Sequence, residues 1–271
     1  MDDVIITGAS RGIGRALAIV MASADVRLVL VARDEERLAA VASEIRDRGG
    51  YVVLVPGDLG TIESARRLGV RLAETLSPGA TLVHNAGIWP YRRSLNADGL
   101  EEAFAVNCIG PAVMQEALLV SGCLVRIMLV SAGLAVKGRF DAERTPSGHD
   151  FSMFRTYATT KLCFALAMRD VAKEHPELDV VVLHPGVVRT DLGRRDGWMG
   201  VLLRMVKRGW EAPETCASRL ARILARPRWS APGEAVWMFE ENEQAWPDAM
   251  NDETTRRQVY DTLARWRPAV S

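Results

Sequence analysis

The sequence predicts an α/β fold built on a single doubly wound parallel sheet with helices on both faces. Three observations predict it. Short apolar, β-branched runs alternate with amphipathic helical stretches along most of the chain, the pattern of strands buried beneath crossover helices. The first run, Val4-Ile5-Ile6, stops at a glycine-rich turn, Thr7-Gly8-Ala9-Ser10-Arg11-Gly12-Ile13-Gly14, and a helical pattern follows at once. Polar residues with chemical potential then gather just after the apolar runs, at Arg33, Asp58, Asn85 to Gly87, Ser131 and Pro185 to Thr190, where the ligands of such sheets bind. Together these describe a Rossmann-type nucleotide cradle.

In chain order, the first helix is expected from about Ile13 to Ser23. A second strand covers Val26 to Ala32, and a charged helix covers Glu35 to Arg48 with Leu38, Val41 and Ile45 on its apolar side. Tyr51 to Val55 is a third strand ending at Gly57-Asp58-Leu59, followed by a helix from Ile62 to Leu76. The fourth strand, Thr81 to His84, runs into Asn85-Ala86-Gly87, and a long helix spans Leu100 to Leu119. Val125 to Val130, Tyr157 to Ala172 and Val180 to Leu183 read as strand, helix and strand. No repeat, linker or low-complexity segment interrupts them, so residues 1–271 are expected to form one domain.

Composition narrows the class. A chain of 271 residues with 48% hydrophobic and 25% charged residues has the make-up of a globular protein rather than a disordered one. Lys+Arg and Asp+Glu balance at 34 each, which gives no electrostatic footprint for nucleic acid. Cys108, Cys123, Cys163 and Cys216 form no C-x-x-C pair and no metal-ligand spacing with histidine, so they read as buried thiols in a reducing compartment, with no metal site. The first strand begins within a few residues of Met1, leaving no room for a signal peptide, and no apolar run has membrane-spanning length. A cytoplasmic protein is expected. His84 and His184 read as packing residues.

The glycine turn permits tight backbone geometry and close approach of N–H groups to a ligand, and the helix N-terminus beyond it suits a pyrophosphate. Its spacing, Gly8-x-x-x-Gly12-x-Gly14, departs from the dinucleotide fingerprint G-x-G-x-x-G. The second strand ends Val31-Ala32-Arg33. A carboxylate there would bind a ribose 2′-hydroxyl, whereas a guanidinium accommodates a 2′-phosphate. Arg11 offers a second positive group, and Asp34 sits one place late, where it helps begin the next helix. NADPH is the expected cofactor. Tyr157 and Lys161 lie one helical turn apart on one face. A lysine cation beside a phenol is expected to lower its pKa, so that the pair moves a hydroxyl proton while hydride moves to or from a nicotinamide.

With these motifs in order, the sequence resembles the short-chain dehydrogenase/reductase family along essentially its whole length. Thr7 to Gly14 is similar to that family's cofactor turn, Asp58 to its adenine-side aspartate, and Asn85-Ala86-Gly87 to its sheet-stabilising loop. Asn107 matches the catalytic asparagine, Tyr157-x-x-x-Lys161 the active-site pair, and Pro185-Gly186-Val187-Val188-Arg189-Thr190 the loop at the nicotinamide carboxamide. The resemblance implies cofactor contacts from Gly8, Ser10, Arg11, Gly12, Ile13, Gly14, Arg33, Asp58, Leu59, Asn85, Ala86, Gly87, Tyr157, Lys161, Pro185, Gly186, Val188 and Thr190. It is closer to the retinol-dehydrogenase-like branch, on the long segment Lys137 to Thr156, the run following Tyr157 and the tail around Gly233 to Trp266. One position departs: in Val130-Ser131-Ala132-Gly133, register gives the first serine of the family's pair to Ser131 and the catalytic place to Ala132. Ser131, or an ordered water, is then expected to orient the carbonyl.

The substrate is expected between the nicotinamide and an apolar segment after Thr190, with a lid near residues 191–212. A helix packed on the core, or shallow membrane contact through Arg194, Arg195, Lys207 and Arg208, are the competing readings of that segment. Trp89, Tyr91, Ala132, Gly133 and Trp198 are the candidate substrate wall, fitting a bulky hydrophobic ketone or aldehyde. The expected reaction is NADPH-dependent carbonyl reduction. Alcohol oxidation, epimerisation through a transient ketone, and a non-catalytic NADP-sensing protein are the alternatives. Relatives often pair through the helices holding Asn107 and Tyr157, so both homodimer and monomer stay open.

Overall fold

The computed structural model describes residues 2–23, 25–189 and 210–266. One eight-stranded sheet organises them. Its strands are β1 (Asp2–Thr7), β2 (Val26–Val31), β3 (Tyr51–Leu54), β4 (Ala80–His84), β5 (Leu124–Val130), β6 (Asp179–His184), β7 (Ala235–Phe239) and β8 (Asn242–Gln244). They lie in the order β3-β2-β1-β4-β5-β6-β7-β8, parallel through β7. The expected doubly wound parallel sheet is present, with one antiparallel strand added at an edge, where β8 returns on β7. A short hairpin suffices there because the turn at Glu240 takes a positive φ of 53°.

The helices are α1 (Gly12–Val20), α2 (Glu35–Asp47), α3 (Ile62–Thr75), α4 (Glu102–Phe104), α5 (Gly110–Val120), α6 (Met153–Glu174), α7 (Pro213–Leu224) and α8 (Glu253–Ala264). The strand period of two decides which helices each side chain meets. Ile5, Val29 and Leu82 join the core beneath α3, α5 and α6, while Val4, Ile6, Leu28 and Leu30 join the core beneath α1, α2 and α7. Both faces are therefore covered, and the strands are apolar almost without interruption. Asp34 caps α2 by accepting from Arg37 N at 3.0 Å, as its position before the helix implied.

The long helix expected from Leu100 runs from Glu102 to Val120 with a π-helical turn at Ala105–Ile109 inside it. Gly110 N reaches Ala105 O across this turn. Pro111 has no N–H, so the Asn107 carbonyl lacks the donor that a regular α-helix would supply. The same run has a mean hydropathy of 1.5 over a membrane-spanning length, which corrects the reading that no apolar run is so long. That stretch is 78% buried against the rest of the fold, which is what a core helix shows. Helix α6 is covered more completely: every residue from Thr156 to Met168 is buried. Around it pack α8, α4, the π turn and the 3₁₀ turn Gly133–Lys137.

Candidate active site

The strand order reverses between β1 and β4, and the glycine turn lies at that point. Gly8 and Gly12 take φ values of +68° and +57°, which other residues adopt at a cost. Thr7 and Asn85 tie the turn to the end of β4. The Thr7 hydroxyl accepts from Asn85 N (3.0 Å) and Ala86 N (3.1 Å), and Asn85 Nδ2 donates to Thr7 O at 2.9 Å. Gly14 serves this clasp. A Cβ there would stand 2.4 Å from Asn85 Nδ2 and 2.5 Å from Gly8 O. Gly14 thus packs behind the turn and does not line the cavity, a correction to its expected cofactor contact.

In front of the turn lies a cavity of about 990 Å³. Gly8, Ser10, Arg11, Gly12, Ile13, Arg33, Asp58, Leu59, Asn85, Ala86 and Gly87 border it, as do Tyr157, Lys161, Pro185, Gly186 and Val188. The expected contact at Thr190 and wall residue at Trp198 fall outside the described residues, as does the lid except for 210–212. The residues present fit a dinucleotide. Helix α1 opens on the cavity with no side-chain cap and no acidic residue in its first turn, which leaves its N-terminal donors available to a pyrophosphate. Farther along, Arg33 stands 3.8 Å from Asp58, with both side chains about half exposed. Asp58 is occupied by its own turn, accepting from Gly60 N at 3.0 Å. Arg37 also borders this end. The reading of the strand end missed it, because it lies four positions on, inside α2.

At the other end Tyr157 and Lys161 are buried. Tyr157 is 5% exposed, and Trp89 stacks on its ring with centroids 4.2 Å apart. Phe154 meets Trp89 edge-on at 5.5 Å. Lys161 lies buried beneath, donating to Val130 O at 3.3 Å, with its Nζ 6.0 Å from the Tyr157 ring centre. The expectation that lysine lowers the phenol's pKa is therefore corrected. Burial pushes the Tyr157 phenol up, while the ammonium is held on Val130 O. Burial pulls Lys161 down to about 8. Asn107, on the π turn, stands behind this pair and not on the cavity wall. Its amide accepts from Ile88 N (2.8 Å) and donates to Ile88 O (2.9 Å) and Thr160 Oγ1 (3.0 Å). It fixes the start of the Trp89 loop against α6.

Ser131 and Ala132 both border the cavity. The Ser131 hydroxyl is buried and has no hydrogen-bond partner among the described residues. Beside them His184 also reaches the cavity, which corrects its reading as packing alone; His84, bonded to Gln115 at 2.7 Å, does pack in the interior. A Cβ on Gly133 would stand 2.5 Å from His184 Nε2, so glycine makes room for that imidazole. Trp89, Tyr91 and Gly133 border the cavity, as do Leu134, Met153, Phe154, Val187 and Trp210. Phe154, one turn before Tyr157 on α6, carried a helical-spacing signal that was not used.

The comparisons with known proteins converge with this geometry. A family model described as short chain dehydrogenase matches residues 2–197. A Streptomyces sp. (strain C5) protein named as a candidate daunorubicin C-13 ketoreductase, DnrU, is 33% identical over 70% of this chain and 67% of its own length. Mouse (Mus musculus) retinol dehydrogenase 14 is 31% identical over 70% of this chain and 62% of its own. Mouse polyprenol dehydrogenase is 30% identical over 93% and 80%. An uncharacterised protein from Mycobacterium paratuberculosis shares the fold at a TM-score of 0.76 and 20% identity, covering 98% of this chain and 93% of that one. An alcohol dehydrogenase from Thermococcus sibiricus, complexed with 5-hydroxy-NADP, shares it at 0.67 and 23%, covering 91% and 100%. The chain belongs to the short-chain dehydrogenase/reductase family, in its retinol-dehydrogenase-like branch.

Proposed function

We propose that this protein reduces a ketone or aldehyde on a bulky hydrophobic small molecule to the alcohol, using NADPH. One observation carries the reading: a single cavity joins the arginine-bordered end at Arg33 and Arg37 to the buried Tyr157 and Lys161. The guanidinium at the end of β2 supports a 2′-phosphate in preference to a bare ribose. When bound, NADPH supplies the hydride to the carbonyl carbon. The chain's own residues manage the oxygen. Tyr157, held protonated by burial, donates its phenolic proton to the developing alkoxide. The Lys161 ammonium, cationic below about 8, puts positive charge at the end of the cavity where the alkoxide develops. Ser131 offers its uncommitted hydroxyl to the carbonyl oxygen. Trp89 and Asn107 hold Tyr157 and its loop in place and keep water out.

Trp89, Tyr91, Leu134, Met153, Phe154 and Val187 support an apolar substrate, as do relatives named for daunorubicin, retinol and polyprenol. The dehydrogenase names favour alcohol oxidation as a second reading. A preference for NADPH, read from Arg33 and Arg37 at the cavity's edge, supports the reductive direction over it. Four free, buried cysteines support a reducing compartment such as the cytoplasm, and the burial of α6 by its own chain supports a monomer. The test is NADPH consumption with a panel of aryl, polycyclic and terpenoid ketones, with NADH in parallel. Turnover with NADPH, weaker with NADH, is expected. Binding of NADPH with no turnover across the panel would leave a nucleotide-sensing protein instead.

A further inference from the structure

The loop that walls the Tyr157 end of the cavity is held from behind by a charge cluster that does not border the cavity. Pro185 to Val188 border the cavity, with Gly186 at a φ of +86°. Behind them, Arg219 on α7 is only 9% exposed. Its Nη2 donates to Pro185 O at 2.8 Å, and the same guanidinium grips both carboxylate oxygens of Glu211. Glu240, from the β7–β8 turn, stands 3.8 Å away on another side, and its backbone N donates to His184 O at 2.8 Å.

Glu211 passes this hold back to the loop. Arg189 N donates to Glu211 O (2.8 Å), Glu211 N donates to Val187 O (3.1 Å), and Val188 and Glu211 form a parallel bridge. Gly186 is equally confined: a Cβ on it would stand 2.9 Å from Glu240 Oε1 and 3.3 Å from Arg219 Nη2. One guanidinium therefore sets the position of the main chain from Pro185 to Arg189. A bidentate, buried arginine with two carboxylates is geometrically demanding, and lysine cannot reproduce it.

We infer that Arg219, locked by Glu211, is a positioning residue for NADPH: it holds the Pro185–Arg189 wall where the nicotinamide half of the cofactor must lie. The inference rests on the proposed NADPH-dependent function. It assigns Arg219 no contact with the cofactor. Its effect is confined to the end of the cavity at β5 and β6, far along the sheet from Arg33.

That confinement gives the test. Affinities for NADP and for its fragment adenosine 2′,5′-bisphosphate, which stops short of this loop, are measured on the full chain by calorimetry. The proteins are wild type, Arg219→Met, Arg219→Lys and Arg222→Met, whose exposed guanidinium pairs with Glu241. In Arg219→Met, NADP binding is expected to weaken by roughly 10- to 100-fold, by analogy with the loss on removing residues that orient metal ligands, while the fragment binds as to wild type. Arg219→Lys falls between, and Arg222→Met matches wild type. Equal weakening for NADP and the fragment would show a merely structural role and overturn the inference, as would unchanged NADP binding. Should Arg219→Met fail to fold, Glu211→Gln, which keeps the size of the side chain but removes its charge, must show the same split in smaller measure. A wild type that binds neither probe overturns the NADPH reading itself, a result distinct from the other two.

Discussion

At the Tyr157 end of the cavity Tyr157, Lys161 and Asn107 are buried and held by their neighbours, while at the Arg33 end Arg33 and Asp58 stand half in solvent and touch one another loosely. Asn107 uses its whole amide on Ile88 and Thr160, Lys161 is spent on Val130 O, and Trp89 covers Tyr157. Among the described residues Arg33 has only Asp58, at 3.8 Å. The difference teaches how one cavity divides its labour. Proton transfer needs a dry, preorganised group whose position is over-determined. Recognition of a phosphate needs charge that arrives with the ligand, and an exposed arginine supplies it at little structural cost.

Substitutions at each end should break this contrast if it is wrong. The largest effect is expected for Tyr157→Phe: turnover falls roughly 10³-fold, within the range of general acid catalysis, with NADPH affinity unchanged by titration. A variant with wild-type turnover would remove Tyr157 as the proton donor. Next, Ser131→Ala is expected to lower kcat by about 10²-fold, the loss typical of one oxyanion donor. If kcat holds and Ala132→Ser raises it instead, register rather than the Ser131 hydroxyl orients the substrate.

The pH profile sharpens the contrast further. Lys161 is depressed by burial to about 8, so its cation is present below that pH and is lost above it. Reductive kcat/KM should therefore fall as pH rises through about 8. Cys108 and His84 also face this lysine, but both titrate away from that window. At the exposed end, Arg33→Ala should raise the KM for NADPH about tenfold and leave that for NADH nearly unchanged, a discounted value for a solvated ion contact. The NADPH effect should shrink in high salt. Equal losses for both cofactors would place the 2′-phosphate elsewhere, with Arg37 the next candidate.

Much of this was legible in the sequence because it depends on local pattern. Gly8 and Gly12 mark backbone that must turn left-handed, the alternating apolar runs mark strands, and Tyr157 and Lys161 share a face by spacing alone. The rest depends on what tertiary packing brings together. The direction of the Tyr157 shift follows from Trp89, a residue far away in sequence, closing over the phenol. The role of Gly14 follows from Asn85 arriving behind it. Arg219 acts on Pro185 across more than thirty positions with no spacing to announce it. Pro111 did carry a readable signal, since a proline within a helix must disturb the bond to Asn107, and the π turn lies there.

The central claim is carbonyl reduction across this cavity, and label transfer tests it most directly. With NADPH carrying deuterium at its reactive carbon and a hydrophobic ketone as substrate, the account predicts deuterium on the carbinol carbon of the product. One cofactor is oxidised per alcohol formed. Label lost to solvent, or an alcohol formed without net cofactor oxidation, would contradict it.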